Sequence, residues 1–255
     1  MIHPTAIINK EAEIENGVDI GPYSIIEENV RIRKGTNLIG HVVVQGRTEI
    51  GENCTISPFA SIGGPPQDTT YKDDDTELVI GDNNIIKEYV TINRGTQHGG
   101  GITKVGDDNF IMAYVHIAHD CHVGNNIIMA NCATLAGHVE VDDFVIFAGL
   151  CAVHQFCRIG KYAFISGITG VPMDVPPFMI AAGSRAKLYG LNVVGLERHN
   201  FTKEDIRKLK KAYKIIFRSS LPLSTSIKLI QQELEGEHID ELIAFIMASQ
   251  RGICR

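Results

Sequence analysis

Five histidines crowd into one stretch in the middle of the chain, at His116, His119, His122, His138 and His154. A neutral imidazole accepts and returns protons near pH 7, so such a cluster could supply a general base. Imidazoles are also common zinc ligands, so a metal site is a second possibility. Either chemistry requires a fold that brings histidines far apart in sequence next to one another.

A large apolar residue at every sixth position defines that fold. The series runs from Ile2 to Ile62, resumes from Ile80 to Ile92 and continues from Val105 to Val171, which makes 26 hexads. A small or branched residue follows four positions after most members of the series. A period of six does not match an α-helix, and Gly, Asn and Asp recur where short strands must turn. The pattern predicts a parallel β-helix with both columns inside, in which three hexads form one triangular coil.

The three-hexad coil brings some of the histidines together. It places Gly137 directly above His119 and Gln155 above Gly137, while His138 and His154 fall within one residue of the same column. Because neighbouring coils are ~4.8 Å apart, we expect the three histidines to converge at one corner. A glycine stacked on a histidine leaves a gap where a substrate can meet an exposed backbone N–H, as in an oxyanion hole. The alternative is that Gly137 only serves the turn.

Other chemistries find less support in the sequence. The histidine spacings do not match those of zinc-binding β-helix proteins, so we predict no metal and no cofactor. A glycine-rich phosphate loop opening a helix and a GxSxG motif are both absent, which argues against redox-nucleotide enzymes and serine hydrolases. A non-catalytic β-helix whose histidines bind a ligand or a metal stays as an alternative.

Two interruptions of the repeat predict loops that leave the solenoid at a corner. The longer loop lies near 63–78 and carries Gln67 and Asp68, and the shorter loop lies near 96–103. Extra loops in solenoid proteins often contact ligands, so both are candidates for substrate recognition.

Beyond the repeat, the sequence turns helical. Thr202 and Asp205 have the spacing of a capping box and precede apolar residues at helical intervals, and two further helices are expected on either side of Gly236. We therefore predict a β-helix catalytic domain at 1–190 and a C-terminal α-helical domain at 191–255 that covers the open end of the solenoid.

Composition limits the partners and the location. The net charge of −6 argues against nucleic-acid binding, although the segment Lys203–Arg218 carries seven positive and two negative residues. The longest uncharged apolar stretch, Phe144 to Val153, covers about half of a membrane-spanning helix, so no transmembrane segment is expected. Without a signal-like N-terminus, the expected location is cytoplasmic. Six cysteines without a CxxC pair predict reduced, buried thiols.

Four blocks of sequence carry more information than the repeat. They are His116-Ile117-Ala118-His119-Asp120-Cys121, Leu135-Ala136-Gly137-His138-Val139, Ala152-Val153-His154-Gln155-Phe156-Cys157 and Asp174-Val175-Pro176-Pro177. In order and spacing they resemble the UDP-N-acetylglucosamine O-acyltransferases, which catalyse the first step of lipid A biosynthesis. The resemblance spans the whole chain.

The resemblance implies a left-handed parallel β-helix of hexapeptide repeats with C-terminal helices, assembled as a homotrimer. It implies transfer of a 3-hydroxyacyl chain from acyl carrier protein to the 3-hydroxyl of UDP-N-acetylglucosamine, without a metal or cofactor. The carrier protein is acidic, so the basic segment Lys203–Arg218 is a candidate docking site. A nucleotide-sugar N-acyltransferase that acts on a 3-amino UDP-sugar is the alternative within the same fold.

Matched residue by residue, the resemblance makes His119 the general base and the Gly137 N–H the oxyanion donor. The implied substrate contacts are Gln67, Asp68, His116, Asp120, His138, His154 and Gln155, together with Asn192 and Arg198 from the adjacent subunit. Gly167 matches a position that, as glycine, leaves room for a longer acyl chain. The sequence departs from the family at Thr69 and Thr70, where a lysine is common.

Overall fold

The computed structural model describes residues 1–72 and 74–255. Within these residues the chain forms 27 β-strands, one 3-10 helix and four α-helices. The first nine strands are β1 (Ile7–Ile8), β2 (Glu13–Ile14), β3 (Asp19–Ile20), β4 (Ile25–Ile26), β5 (Val30–Ile32), β6 (Asn37–Leu38), β7 (Val43–Val44), β8 (Arg47–Ile50) and β9 (Thr55–Ile56). The next nine are β10 (Ser61–Gly64), β11 (Glu77–Ile80), β12 (Ile85–Ile86), β13 (Thr91–Asn93), β14 (Ile102–Val105), β15 (Phe110–Ile111), β16 (His116–Ile117), β17 (His122–Val123) and β18 (Ile128–Met129). The last nine are β19 (Thr134–Leu135), β20 (Glu140–Val141), β21 (Ile146–Phe147), β22 (Ala152–Val153), β23 (Arg158–Ile159), β24 (Phe164–Ile165), β25 (Gly170–Val171), β26 (Met179–Ala182) and β27 (Lys187–Leu191).

The strands stack into three sheets, parallel except for the last pair, in which each strand generally pairs with the one three strands later. The sheets run β1 to β25, β2 to β23 and β3 to β27 and contain nine, eight and ten strands. Ile111 pairs with Met129 and Met129 with Phe147, a shift of three hexads each time. Three short strands therefore make one coil, and the predicted left-handed parallel β-helix is confirmed.

Both predicted columns point into the prism. Large residues such as Ile86 and Ile111 are fully buried, and so are small ones such as Val115 and Ala133. Four cysteines of the small column are at most 1% exposed: Cys54, Cys121, Cys151 and Cys157. Burial raises the pKa of the Cys121 thiol to about 12, so this side chain fills the core rather than reacting.

The corners of the prism use left-handed backbone at regular intervals. From Asp108 to Ile168, every sixth residue has a φ between 56° and 64°. This conformation costs a non-glycine residue about 1–2 kcal/mol. The hydrogen bonds to the neighbouring coils oppose that cost, for example from the His138 N–H to the His119 carbonyl at 3.0 Å. The turns are therefore uniform, and equivalent residues of successive turns lie above one another.

Both interruptions of the repeat lie at the same corner of the prism, between a strand of the first sheet and a strand of the second. The longer loop runs between the end of β10 at Gly64 and the start of β11 at Glu77. The shorter loop lies between β13 and β14 and contains the 3-10 helix Gln97–Gly99.

The solenoid ends in elements that the six-residue period did not predict. Strands β26 and β27 form an antiparallel hairpin on the last sheet. The helices that follow are α1 (Val193–Arg198), α2 (Lys203–Phe217), α3 (Leu223–Glu233) and α4 (Glu237–Ala248). The capping box predicted at Thr202 and Asp205 opens α2, and α3 and α4 lie on either side of Gly236 as expected. Among the described residues, none of the helices has the length and hydropathy required to cross a bilayer.

Candidate active site

The candidate site lies at one corner of the prism, where three successive turns are stacked. His119 lies between β16 and β17, Gly137 between β19 and β20, and Gln155 between β22 and β23. The Phe156 N–H donates to the Gly137 carbonyl at 3.1 Å, which fixes the upper two turns on each other. The column predicted from the three-hexad coil is therefore present.

His119 is paired with a buried carboxylate. Its Nδ1 lies 2.8 Å from Oδ2 of Asp120, and Asp120 is 5% exposed. Burial raises the pKa of Asp120, but hydrogen bonds from His119 and Thr96 outweigh burial and hold this pKa below its ordinary value. Because the carboxylate is ionised at neutral pH and can only accept, the neutral His119 ring carries its proton on Nδ1 and keeps a free lone pair on Nε2.

Asp120 is itself held from the shorter loop. Thr96 donates to it twice, from its N–H to Oδ1 at 2.8 Å and from its hydroxyl to Oδ2 at 2.6 Å. The Asp120 N–H donates to the Thr103 hydroxyl at 2.8 Å. Thr96 and Thr103 are fully buried, so water does not compete for these bonds. Sequence reasoning missed Thr96 as a site residue, because nothing in the repeat shows which coil the loop reaches.

Gly137 provides the gap that the sequence predicted. A Cβ built on Gly137 would lie 2.5 Å from Cε1 and 2.8 Å from Nε2 of His119. The Gly137 N–H donates no hydrogen bond within the part of the chain that the structure describes. The same is true of the turn equivalents His119 and Gln155, but only Gly137 lacks a side chain beside the donor. A free backbone N–H therefore lies close to the free nitrogen of His119.

His138 completes the polar corner. Its ring meets that of His119 edge to face at 5.1 Å between centroids and stacks on Phe156 at 4.3 Å. Its Nε2 lies 3.7 Å from Asp120 Oδ2. Burial lowers the pKa of His138, although the charge of Asp120 acts in the opposite direction. His138 is thus predominantly neutral at pH 7 and can donate or accept a hydrogen bond.

The longer loop closes one side of a cavity of about 630 Å3 at this corner. Gln67 and Asp68 line it together with His119, His138 and Gln155, so four of the predicted substrate contacts share one cavity with the predicted base. Thr70 donates to Asp68 Oδ1 from both its N–H and its hydroxyl, each at 2.8 Å, and these bonds lower the pKa of Asp68. At the departure from the family pattern, Thr70 therefore orders the loop.

His98 is a cavity residue that sequence reasoning missed. Its Nε2 lies 3.4 Å from Asp68 Oδ2, and its ring centroid lies 6.1 Å from that of His138. It joins the two loops across the mouth of the cavity. Its position in the shorter loop, which was already a candidate for ligand contact, was the available signal.

The expectation that three histidines converge is wrong for His154. This residue is the turn equivalent of Ala118 rather than of His119, and the one-residue offset starts its side chain from a different position. Its Nδ1 lies 2.7 Å from Nη2 of Arg251, and it lines another cavity. The structure thus joins His119 and His138 and leaves His154 at the same corner but outside their cavity.

His116 lies beside the corner on β16. Its Nδ1 lies 2.7 Å from the Thr91 hydroxyl, and burial, followed by the charge of nearby His119, lowers its pKa. Gly167 is open: a Cβ there would meet only the Gly149 carbonyl at 3.5 Å. This leaves space at the next corner without bringing Gly167 into the His119 cavity.

Asn192 and Arg198 lie away from the His119 cavity of their own chain. Asn192 is 8% exposed and caps α1, accepting from the Gly195 N–H at 3.1 Å and donating to the Tyr162 carbonyl at 3.0 Å. Arg198 ends α1 and is exposed. Within one chain, Asn192 thus has a structural role, and the Arg198 side chain is exposed to solvent.

A metal could in principle use His119, Asp120 and His138, whose ligand atoms lie within 4.8 Å of one another. The donor set does not fit this use well. Both oxygens of Asp120 already accept hydrogen bonds from Thr96, and Oδ2 also accepts from His119. These bonds account for the arrangement without a cation.

Comparison with known proteins connects this geometry to a chemistry. Residues 174–254 match the family model "Udp N-acetylglucosamine O-acyltransferase; Domain 2", and residues 102–137 match the bacterial transferase hexapeptide model. A protein from Thermodesulfovibrio yellowstonii is 59% identical over 100% of this chain and 99% of its own length, and is named acyl-[acyl-carrier-protein]--UDP-N-acetylglucosamine O-acyltransferase. A protein of the same name from Syntrophobacter fumaroxidans is 49% identical over the same shares.

Solved structures agree with these relatives. The UDP-N-acetylglucosamine acyltransferase of Francisella novicida superposes with a TM-score of 0.96 at 42% identity, covering 100% of this chain and 94% of that one. A structure from Acinetobacter baumannii has a TM-score of 0.97 at 43% identity and covers 100% of this chain and 99% of its own.

Proposed function

This chain belongs to the UDP-N-acetylglucosamine O-acyltransferase family, and we propose that it moves a 3-hydroxyacyl chain from acyl carrier protein to the 3-hydroxyl of UDP-N-acetylglucosamine. The reaction is the first step of lipid A biosynthesis. The observation that carries the proposal is the free Nε2 of His119 beside the uncovered N–H of Gly137. One group can take a proton while the other receives a developing negative charge.

Each residue of the corner has one role in the proposed reaction. His119 Nε2 takes the proton of the sugar hydroxyl as its oxygen attacks the thioester carbonyl carbon. The carbonyl oxygen becomes an oxyanion that accepts from the Gly137 N–H. When the C–S bond breaks, the His119 imidazolium returns the proton to the leaving thiolate, giving the sugar ester and the free thiol of the carrier. Asp120 keeps the ring in one tautomer and stabilises its cationic form.

Gln67, Asp68, His138 and Gln155 line the same cavity and are the proposed contacts to the sugar nucleotide. His116 does not line this cavity, and we assign it to the acyl donor side of the corner. Gly167 is assigned to the path of the acyl chain, because its surroundings are open.

We propose a homotrimer in which the partner's surface completes this cavity. An exposed ridge runs along another corner of the prism, where Tyr23, His41, Phe59, Tyr89 and Tyr114 stack with centroids 4.9–5.1 Å apart. Leu150 and Ile168 continue it and are 60% and 73% exposed. An exposed ridge of this length, here called the aromatic ridge, is typical of a protein interface. Asn192 and Arg198 would then serve the site of a neighbouring copy.

We assign docking of the acidic carrier protein to the basic helix α2. Lys203, Lys210 and Lys214 are exposed and lie within about 40° of one another around the helix axis. No ion pair engages these three lysines among the described residues, whereas Lys211 pairs with Glu233 at 2.7 Å. This lysine row is free to meet carboxylates of a partner.

The experiment that tests the proposal is a product assay. Purified protein is incubated with UDP-N-acetylglucosamine and 3-hydroxyacyl carrier proteins of several chain lengths, and the products are identified by mass. A UDP-sugar that is heavier by one 3-hydroxyacyl group is expected, and it should be lost in His119→Ala with folding retained. Exclusive acylation of the 3-amino UDP-sugar in a parallel reaction would favour the N-acyltransferase instead. The cytoplasmic location stays a prediction, tested by cell fractionation.

A further inference from the structure

The segment that follows α4 returns to the last coil of the β-helix. The Asp174 N–H donates to the Gly252 carbonyl and the Cys254 N–H to the Asp174 carbonyl, both at 2.9 Å. Asp174 Oδ2 also accepts from the Ser249 hydroxyl at 2.7 Å. Asp174 is 1% exposed, so these bonds are shielded from water. The segment Ser249–Cys254, here called the return segment, is therefore fixed against the solenoid.

Arg251 of the return segment contacts His154, which lies outside the His119 cavity. Its Nε donates to the Pro172 carbonyl at 3.1 Å, and its Nη2 lies 2.7 Å from Nδ1 of His154. A guanidinium has only donors, so Nδ1 must accept this hydrogen bond. The proton of neutral His154 is then on Nε2. The other tautomer could donate to the Gln155 carbonyl at 3.2 Å, but it would place an N–H against the Arg251 donor.

His154 and Arg251 line a cavity of about 500 Å3 between the return segment and the hairpin of β26 and β27. Arg185 and Lys187 line it as well, and no Asp or Glu side chain is among its lining residues. Arg185 and Lys187 form no ion pair within the residues described. A cavity with an excess of donors and positive charge suits a phosphate group.

We propose that Arg251 is a positioning residue for the transfer reaction. It fixes His154 in the Nε2–H tautomer, so that His154 donates to a phosphate oxygen of a substrate held in this cavity. The inference rests on the proposed function, which supplies two sources of that phosphate: the diphosphate of the UDP-sugar and the phosphodiester of the phosphopantetheine arm on the carrier.

The tautomer is tested first, because it does not depend on turnover. In protein labelled with 15N at histidine, the His154 signals are assigned by their loss in His154→Gln. The expected two-bond coupling pattern is that of a ring protonated at Nε2. In Arg251→Met it should shift towards a mixture of tautomers, and Arg251→Lys should restore part of the original pattern. An Nδ1–H ring in the unaltered protein would overturn the proposal, whatever the activity.

Kinetics then identify the phosphate. Arg251→Met should raise KM about 10-fold for one substrate with a small change in kcat, since a charge-assisted hydrogen bond is lost. A rise for UDP-N-acetylglucosamine identifies the diphosphate, and a rise for acyl phosphopantetheine identifies the carrier arm. Arg31→Met, which alters an exposed arginine paired with Glu13, is the matched control and should leave both values unchanged. Unchanged KM values for both substrates in folded Arg251→Met would refute the role.

Discussion

The ring of His119 lies directly under the backbone of Gly137, at a distance that no side chain on residue 137 would permit. An added Cβ would be 2.5 Å from His119 Cε1, closer than real contacts of this kind. The two residues occupy the same position of successive turns, so the register of the solenoid itself fixes the proposed proton acceptor beside the free N–H.

Gly137→Ala should therefore displace the His119 ring while it keeps the backbone N–H. We expect kcat to fall about 100-fold, the scale of a 1 Å misplacement of a reacting group. The measurement is steady-state acyl transfer with melting temperature as a check on folding. Gly149→Ala is the matched control, because its Cβ would meet only the Asn131 carbonyl at 3.4 Å. Equal activity of the two variants would contradict the assigned role of the gap.

Thr96→Val should weaken the proposed general base, His119, although it leaves the histidine itself unchanged. The substitution removes the 2.6 Å hydroxyl bond to Asp120 and keeps the backbone bond, so the carboxylate holds His119 less firmly. A charged hydrogen bond of this kind corresponds to about a 10-fold fall in kcat. Thr36→Val, at a buried threonine far from the corner, is the control. The idea fails if both variants lose stability equally and neither loses kcat.

Acid should destabilise the folded chain through His116. Burial, and then the neighbouring His119, lowers the pKa of His116 in the folded state, so the unfolded chain binds the proton first as the pH falls. The contribution of neutral His116 to the free energy of unfolding is therefore present above the ordinary histidine pKa of about 6.5 and is lost as the pH falls below it. The free energy of unfolding, measured in urea between about pH 7.5 and 5.5, should thus fall less in His116→Gln than in the unaltered protein. His3→Gln, at an exposed histidine, should change nothing.

Charge reversal on α2 should slow transfer from the carrier protein. In Lys210→Glu/Lys214→Glu, kcat/KM for acyl carrier protein is expected to fall about 10-fold at low salt, since steering by complementary charge is lost. The difference should shrink at about 0.5 M salt, where charges are screened. Acyl phosphopantetheine, which lacks the protein, should react at the normal rate. Lys10→Glu/Lys34→Glu is the control, and a rate that does not depend on the position of the reversal would end the docking proposal.

A charge on the aromatic ridge should dissociate the proposed trimer. Phe59→Asp places a carboxylate between His41 and Tyr89, which stack on Phe59 at 5.1 Å. The mass in solution, measured by sedimentation, is expected to fall to that of one chain, with activity lost because the partner surface is missing. Tyr189→Asp changes an aromatic residue that is 69% exposed but lies off the ridge. An intact trimer in Phe59→Asp would place the interface elsewhere.

Sequence reasoning works here as far as the period extends. The stacking of His119, Gly137 and Gln155 could be calculated because each coil repeats the same turn. Thr96 and Arg251 could not be found in this way. Thr96 reaches Asp120 from an inserted loop, and Arg251 meets His154 from a distant segment of the chain that has no repeat. The hairpin of β26 and β27 was missed for the same reason, since its strands run antiparallel and follow no six-residue rule.

The constant register of the coils limits how such a protein can change its length. Removing three consecutive hexads before the site would delete one coil of the β-helix and leave the turns of His119, Gly137 and Gln155 aligned. Removing a single residue between His119 and Gly137 would instead put a different residue above the imidazole. The fold therefore tolerates the gain or loss of whole coils, whereas a small deletion between the turns of His119 and Gly137 would dismantle the proposed site.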